Sequence, residues 1–192
     1  MSHRDGYVTE IDYTHHICRE QGPAWLSLAA LWSGVAAPRL DREFTLLELG
    51  CGHGGNAVLA AALFPQARFL ANDFMPSHVE SACGLRDAAG ITNLTILPDS
   101  FADLAARGDL PPCDFIVAHG IFSWVSAENQ AHILTIVRRL LKPGGLFYVS
   151  YNSAVGWAGM GALRQFLVAQ VEQDQGPLIG RLGRALDRAA LF

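Results

Sequence analysis

The segment Leu46-Leu47-Glu48-Leu49-Gly50-Cys51-Gly52-His53-Gly54-Gly55-Asn56 concentrates glycine between an apolar run and an alanine- and leucine-rich stretch. Glycine lets a backbone turn sharply and approach a ligand closely. A helix start behind such a turn offers unpaired N–H groups and partial positive charge, which suits an anionic group. The spacing fits two patterns. Gly50, Gly52 and Gly54 read as GxGxG, while Gly50, Gly52 and Gly55 read as the dinucleotide pattern GxGxxG. A strand-to-helix turn that holds no ligand is the plain alternative.

Three carboxylates narrow the choice. Glu48 ends a buried apolar run, where a polar group is costly without a partner. Asp73 follows a second run, Arg68–Ala71, where a carboxylate can accept both ribose hydroxyls; capping the helix that starts at Pro76 is its other reading. Asp99, ahead of Ser100 and Phe101, follows a third run and can accept an adenine amino group while Phe101 flanks the ring. Its other reading is a solvated loop residue. One ligand carrying an ammonium, a ribose diol and an adenine would occupy all three. S-adenosylmethionine is such a ligand. Its enzymes commonly place an acid where Glu48 stands, whereas nicotinamide enzymes usually have an apolar residue there. The expected cofactor-binding set is Glu48, Gly50, Cys51, Gly52, Asn56, Asp73, Phe74, Asp99, Ser100, Phe101 and His119. The expected product is S-adenosylhomocysteine.

Methyl transfer from a sulfonium is an in-line displacement, so the protein mainly orients a nucleophile. A lysine amine must be neutral to attack, and desolvation beside aromatic rings lowers its pKa. Tyr13, Phe122, Trp124, Tyr151 and Trp157 are candidates for such a wall. Core packing is the preferred reading for Phe122 and Trp157. His119 suits a general base by its pKa; shaping the cofactor pocket is its other role. The expected catalytic residues are His119, Trp124 and Tyr13. His15, His16 and Cys18 do not have the spacing of a metal site, and none is expected. Cys51 is expected to pack in the glycine turn and contribute a backbone N–H.

The elements that position these residues alternate. Strands are expected at Phe44–Leu49, Arg68–Ala71, Leu94–Leu97, Phe115–Ala118 and Leu146–Tyr151. Helices are expected at Trp25–Trp32, Asn56–Phe64, Pro76–Gly90 (with Ser77 as its N-cap) and Gln130–Leu141. Lys142-Pro143-Gly144-Gly145 reads as a tight turn. This is an α/β pattern: a Rossmann-like, doubly wound parallel sheet, its strands ordered 3-2-1-4-5. The stretch to about Glu20 reads as an arm with a turn or two of helix. Gly161–Gln173 and Leu178–Leu191 read as C-terminal helices, with no further strand. The expected division is an N-terminal arm and helix at 1–40, a cofactor-binding core at 41–156 and C-terminal helices at 157–192.

Bulk properties agree. The 192 residues are 51% hydrophobic with a formal net charge of −4, which disfavours a general grip on nucleic acid. The four cysteines read as reduced thiols in a cytoplasmic protein. No apolar run approaches the ~20 residues of a membrane span, and no membrane partner is expected.

The blocks LLELGCGHGGN, ANDFMPSHVESA, LPDSFADL, CDFIVAHGIFSWV, LLKPGGLFYVSYN and GW with MGALRQF cover almost the whole chain. Together they resemble a bacterial group of class I methyltransferases that carry a methyltransferase regulatory domain after the catalytic core. The group includes rickettsial protein-lysine methyltransferases. The resemblance implies S-adenosylmethionine as cofactor and a protein or small-molecule methyl acceptor as partner. Val155 stands where the group usually has proline before Gly156. The group continues beyond the position of Phe192, and the common class I core ends in a β6–β7 hairpin that is missing from this pattern. The expectation is therefore a truncated catalytic core, with a strand edge that a homo-oligomer can cover.

Overall fold

The computed structural model describes residues 16–191 and the backbone of His3–Arg4 and Tyr7–Val8. The chain forms two compact units, Met1–Tyr151 and Asn152–Phe192.

The first unit is built on five parallel strands: β1 (Thr45–Leu49), β2 (Arg68–Asn72), β3 (Leu94–Leu97), β4 (Cys113–Ala118) and β5 (Leu141–Val149). Their order is β3-β2-β1-β4-β5, as the alternation of apolar runs and helices predicts. Both faces are covered, which is why the strands read as continuous apolar runs. On one face Leu46, Phe69, Phe115 and Val117 pack with Leu26 of α1 (Pro23–Trp32), Ala57, Val58 and Ala61 of α2 (Gly55–Leu63), and Ala82 of α3 (Pro76–Ala88). On the other, Leu47, Leu49, Leu70 and Ile116 meet Leu104 of α4 (Phe101–Ala106) and Ile133, Ile136 and Leu140 of α5 (Ala127–Leu140). The chain reverses its direction of winding between β1 and β4. That opens a crevice at the carboxyl ends of those two strands.

Several local expectations are corrected. α4 is a short helix that propensity does not reveal; the Ser100 hydroxyl caps it, accepting the Asp103 N–H at 3.1 Å. α5 starts at Ala127, ahead of the expected Gln130, because Ser126 caps it through the Asn129 N–H at 3.2 Å. α3 opens on Pro76 with Met75 at the cap, so Ser77 lies inside the first turn and is not the cap. The Lys142–Gly145 turn lies within β5. Cys113 pairs with Leu141 and Phe115 with Leu146, so these four residues bulge opposite Asp114, and Lys142 Nζ donates to Asp114 Oδ2 at 2.8 Å. The N-terminal arm carries two short antiparallel strands, His3–Arg4 and Tyr7–Val8, and a 3-10 turn at Arg19–Gln21. Among the described residues no strand follows β5 and no β6–β7 hairpin is present.

The second unit holds α6 (Gly161–Gln173) and α7 (Leu178–Ala189). Asp174 accepts from Arg184 Nε at 2.8 Å, and Arg181 Nη1 donates to the Val171 carbonyl at 3.1 Å, which ties the two helices together. Among the described residues no helix is long and apolar enough to cross a membrane.

Gly54 shows how tightly the site's supports are packed. Its φ is 77°, and a Cβ there would lie 2.6 Å from Ala82 Cβ and 3.1 Å from Ala82 Cα. The glycine therefore lets α2 start against α3. Gly54→Ala is expected to lower unfolding free energy by about 2–4 kcal/mol, from overpacking plus a left-handed backbone. Urea denaturation, read as a lower midpoint at unchanged slope, checks this.

Candidate active site

The site starts where β1 ends. Gly50 has φ 66°, and a Cβ there would overlap Ile121 Cδ1 at 1.7 Å, so no other residue fits. The Cys51 N–H donates to the Asn72 carbonyl at 2.8 Å, and the Gly52 N–H donates to Asp73 Oδ2 at 2.9 Å. Asp73 Oδ1 also accepts the Met75 N–H at 3.0 Å and lies 3.3 Å from His78 Nδ1. The glycine turn is thus stitched to the loop after β2. The loop after β3 is tied in as well. The buried Asn72 donates through Nδ2 to the Asp99 carbonyl at 2.6 Å, and Arg107 Nη1 donates to Asp99 Oδ2 at 2.9 Å.

Two cavities share Gly50, Gly52 and His119. The first is lined by Asn72, Asp73, Phe74, Met75, His78, Asp99, Phe101, Gly120 and Ile121. The second, of about 380 Å³, is lined by Glu48, Cys51, His53, Asn56 and residues of the 16–21 segment, Cys18 and Gln21 among them. Neither cavity has a lysine or arginine among its described lining residues.

Ten of the eleven expected cofactor residues line one cavity or the other. Ser100 does not, because its hydroxyl is taken up by Asp103 as a helix cap. Two others reach the site with different contacts from those expected. The Cys51 N–H is spent on Asn72. Asn56 Oδ1 accepts the Cys18 N–H at 2.8 Å, so it anchors the N-terminal segment to α2. Of the expected catalytic residues, His119 lines both cavities. Trp124 is 56% exposed and lines neither. Tyr13 lies outside the described residues, as does His15. Phe122 packs against the α4/α5 cluster, as expected, whereas Trp157 is 46% exposed and belongs to no core cluster. Tyr151 is exposed. Asn72, His78, Arg107 and Tyr148 were missed. Asn72 alone left a signal, as a polar residue closing an apolar strand.

Glu48 dominates the electrostatics. It is 4% exposed, and no hydrogen bond from a described residue offsets its burial. Burial, with the Asp73 charge nearby, pushes its pKa from 4.5 up to about 8. The same burial and the charges of Glu48 and Asp73 push the Cys51 thiol far up, which leaves it protonated and unreactive. Burial lowers His119 below its ordinary 6.5, so its imidazole is neutral at pH 7. The site therefore offers carboxylates as acceptors and a place for a positive charge beside Glu48.

Because Glu48 titrates higher folded than unfolded, its contribution to stability is present below pH 4.5 and is lost as pH rises through about 8. Glu48→Gln is expected to stabilise the ligand-free domain at pH 9 by on the order of a few kcal/mol and to change little at pH 4. Thermal unfolding across that range checks it.

Residues 47–147 match the family model described as a methyltransferase domain. An uncharacterized protein of Synechocystis sp. is 38% identical over 187 residues, which is 97% of this chain and 37% of that protein. The trans-aconitate 2-methyltransferase of Methylobacterium radiotolerans is 29% identical over 161 residues, covering 82% of this chain and 56% of the enzyme. Among solved structures, PKMT2 from Rickettsia typhi in complex with AdoHcy superposes with a TM-score of 0.80 at 27% identity, over 93% of this chain and 34% of that one. The chain thus spans 34% to 56% of the length of these relatives.

Proposed function

Because the chain belongs to the methyltransferase-domain family, we propose that it binds S-adenosylmethionine in the two adjoining cavities and methylates a nitrogen, such as a lysine amine on a protein. The observation that carries this reading is Glu48. A buried carboxylate without a counter-charge is costly, and a ligand ammonium beside it removes that cost. The other residues fit the same group. Gly50 and Gly52 allow close approach of a ligand to the turn. Asp73 and Asp99 bring acceptors into the first cavity, and Phe101 lines it with a ring. When bound, the cofactor supplies an electrophilic methyl group on a sulfonium.

The protein's own work is to orient and desolvate. The acceptor amine must arrive neutral, and the apolar atoms of Ile17, Phe101 and Ile121 in the walls disfavour its charged form. An anionic acceptor would find no lysine or arginine among the described lining residues of either cavity, which favours an amine. The likeness to PKMT2 supports a protein acceptor. The likeness to trans-aconitate 2-methyltransferase favours a second reading, in which a small carboxylate is the acceptor. The four cysteines are unpaired thiols, which fits the reading of a cytoplasmic enzyme.

Calorimetry is expected to show binding of S-adenosylhomocysteine and none of NAD. Since the ligand ammonium favours ionised Glu48, affinity is expected to rise with pH up to about 8, by up to about tenfold per unit, and then level off. Glu48→Gln is expected to bind more weakly and without that pH dependence. Binding of NAD in place of S-adenosylhomocysteine would reject the reading. With methyl-labelled cofactor and a cell extract, label in the protein fraction supports the amine acceptor, and label only in small molecules supports the second reading.

A further inference from the structure

We infer that Arg107, clamped by Asp109, is a positioning residue that fixes the Asp99 carboxylate with one oxygen free for a ligand, and that it thereby selects an adenine amino group over a ring carbonyl. The inference rests on the methyl-transfer reading, under which Asp99 meets the adenine. Asp99 lines the first cavity, and its side chain is 20% exposed. Arg107 lines neither cavity, so it reaches Asp99 from outside the site. Arg107 Nη1 donates to Asp99 Oδ2 at 2.9 Å. Oδ1 is the oxygen left for a ligand.

Geometry defines this contact from two sides. A guanidinium is a rigid planar fork, so fixing two of its nitrogens sets where the third points. Arg107 Nε donates to Asp109 Oδ1 at 2.9 Å, and Nη2 donates to Asp109 Oδ2 at 2.6 Å. With that edge of the fork spent on Asp109, Nη1 is carried to Asp99 Oδ2. The bonds from Arg107 hold the Asp109 carboxyl down at about 2, so it is ionised at neutral pH. On the backbone side, the buried Asn72 gives Nδ2 to the Asp99 carbonyl at 2.6 Å. Asp99 is thus held at its main chain from β2 and at its carboxylate from Arg107.

The segment between these residues serves the same end. Asp99 stands just before α4 and Arg107 just after it, so their ion pair buckles the two ends of a six-residue helix. The Ser100 cap ties down one end, and the Arg107 N–H, donating to the Asp103 carbonyl at 3.1 Å, ties down the other. Arg139 of α5 donates to the Leu104 and Ala105 carbonyls, which holds the last turn of α4 to α5. Phe101, in the first turn of α4, lines the same cavity as Asp99. An exposed ion pair by itself stabilises a fold little. Here its effect is on direction. A carboxylate with one oxygen occupied presents the other as an acceptor, and an exocyclic amine can donate to it. A carbonyl in that place sets two acceptors face to face, and a site built for a donor rejects such a ligand.

The test compares S-adenosylhomocysteine with S-inosylhomocysteine, which carries a ring carbonyl in place of the amino group, by calorimetry on the 192-residue chain. The unmodified chain is expected to prefer the adenosyl compound by at least about tenfold. Arg107→Gln is expected to lower that preference about three- to tenfold, the worth of one oriented hydrogen bond, by weakening binding of the adenosyl compound alone. Asp109→Ala, at a side chain 65% exposed, is expected to lower the preference in the same direction and serves if Arg107→Gln does not fold. A merely structural role would weaken both compounds alike. An unchanged preference in both variants, whether or not overall binding weakens, overturns the inference and leaves the methyl-transfer reading in place. So does the absence of a preference in the unmodified chain. Binding of neither compound by the unmodified chain overturns both.

Discussion

The bond between the Gly52 N–H and Asp73 Oδ2, at 2.9 Å, joins the end of one strand to the end of its neighbour, and the site is assembled around it. Asp73 also takes the Met75 N–H and faces His78, so one carboxylate sets the glycine turn, the entry into α3 and one cavity wall. A charged acceptor bonded to backbone N–H groups is a strong anchor in a buried setting. The turn can only sit this close because Gly50 and Gly54 lack side chains. Ile121 and Ala82 occupy the space a Cβ would need.

Glu48 is the opposite kind of carboxylate. It lies on the same sheet face as Leu46 and is buried without hydrogen bonds among the described residues. The fold tolerates this because the proton it retains up to about pH 8 neutralises it. That is a local destabilisation held ready for a cation. Asp73 and Glu48 thus differ in role: one carboxylate holds the turn together while lining the first cavity, and the other is left for what enters the second.

The wall facing these acids is organised by β4 and β5. His119 follows β4, and Tyr148 lies in β5, the strand paired with β4. Their stacked rings and the Ser150–Gly120 bond link the ends of the two strands. A site made only of acceptors would bind cations without orienting them. A neutral imidazole lining both cavities adds a polar group of another kind. In a family whose cofactor carries the reactive group, such fixed polarity is most of what a protein can contribute.

The sequence alone determined the sheet order, the glycine turn and the three acids at strand ends. Those features follow from short-range rules: apolar runs become strands, glycine marks the turn, and polar residues at strand ends face the crevice. It also named Asp99, Phe101 and His119 as cofactor candidates, and all three line the cavities. Only tertiary structure decided which polar groups were already occupied. Asn56 is spent on Cys18, the Cys51 N–H on Asn72 and the Ser100 hydroxyl on Asp103. Arg107 reaches Asp99 from beyond α4, and Tyr148 reaches His119 from the next strand. The two sets differ for a physical reason. A residue's type and its place on an element are local properties of the chain, whereas a hydrogen bond belongs to a pair. Pairs such as His119 and Tyr148, 29 residues apart, exist only once β4 and β5 lie side by side.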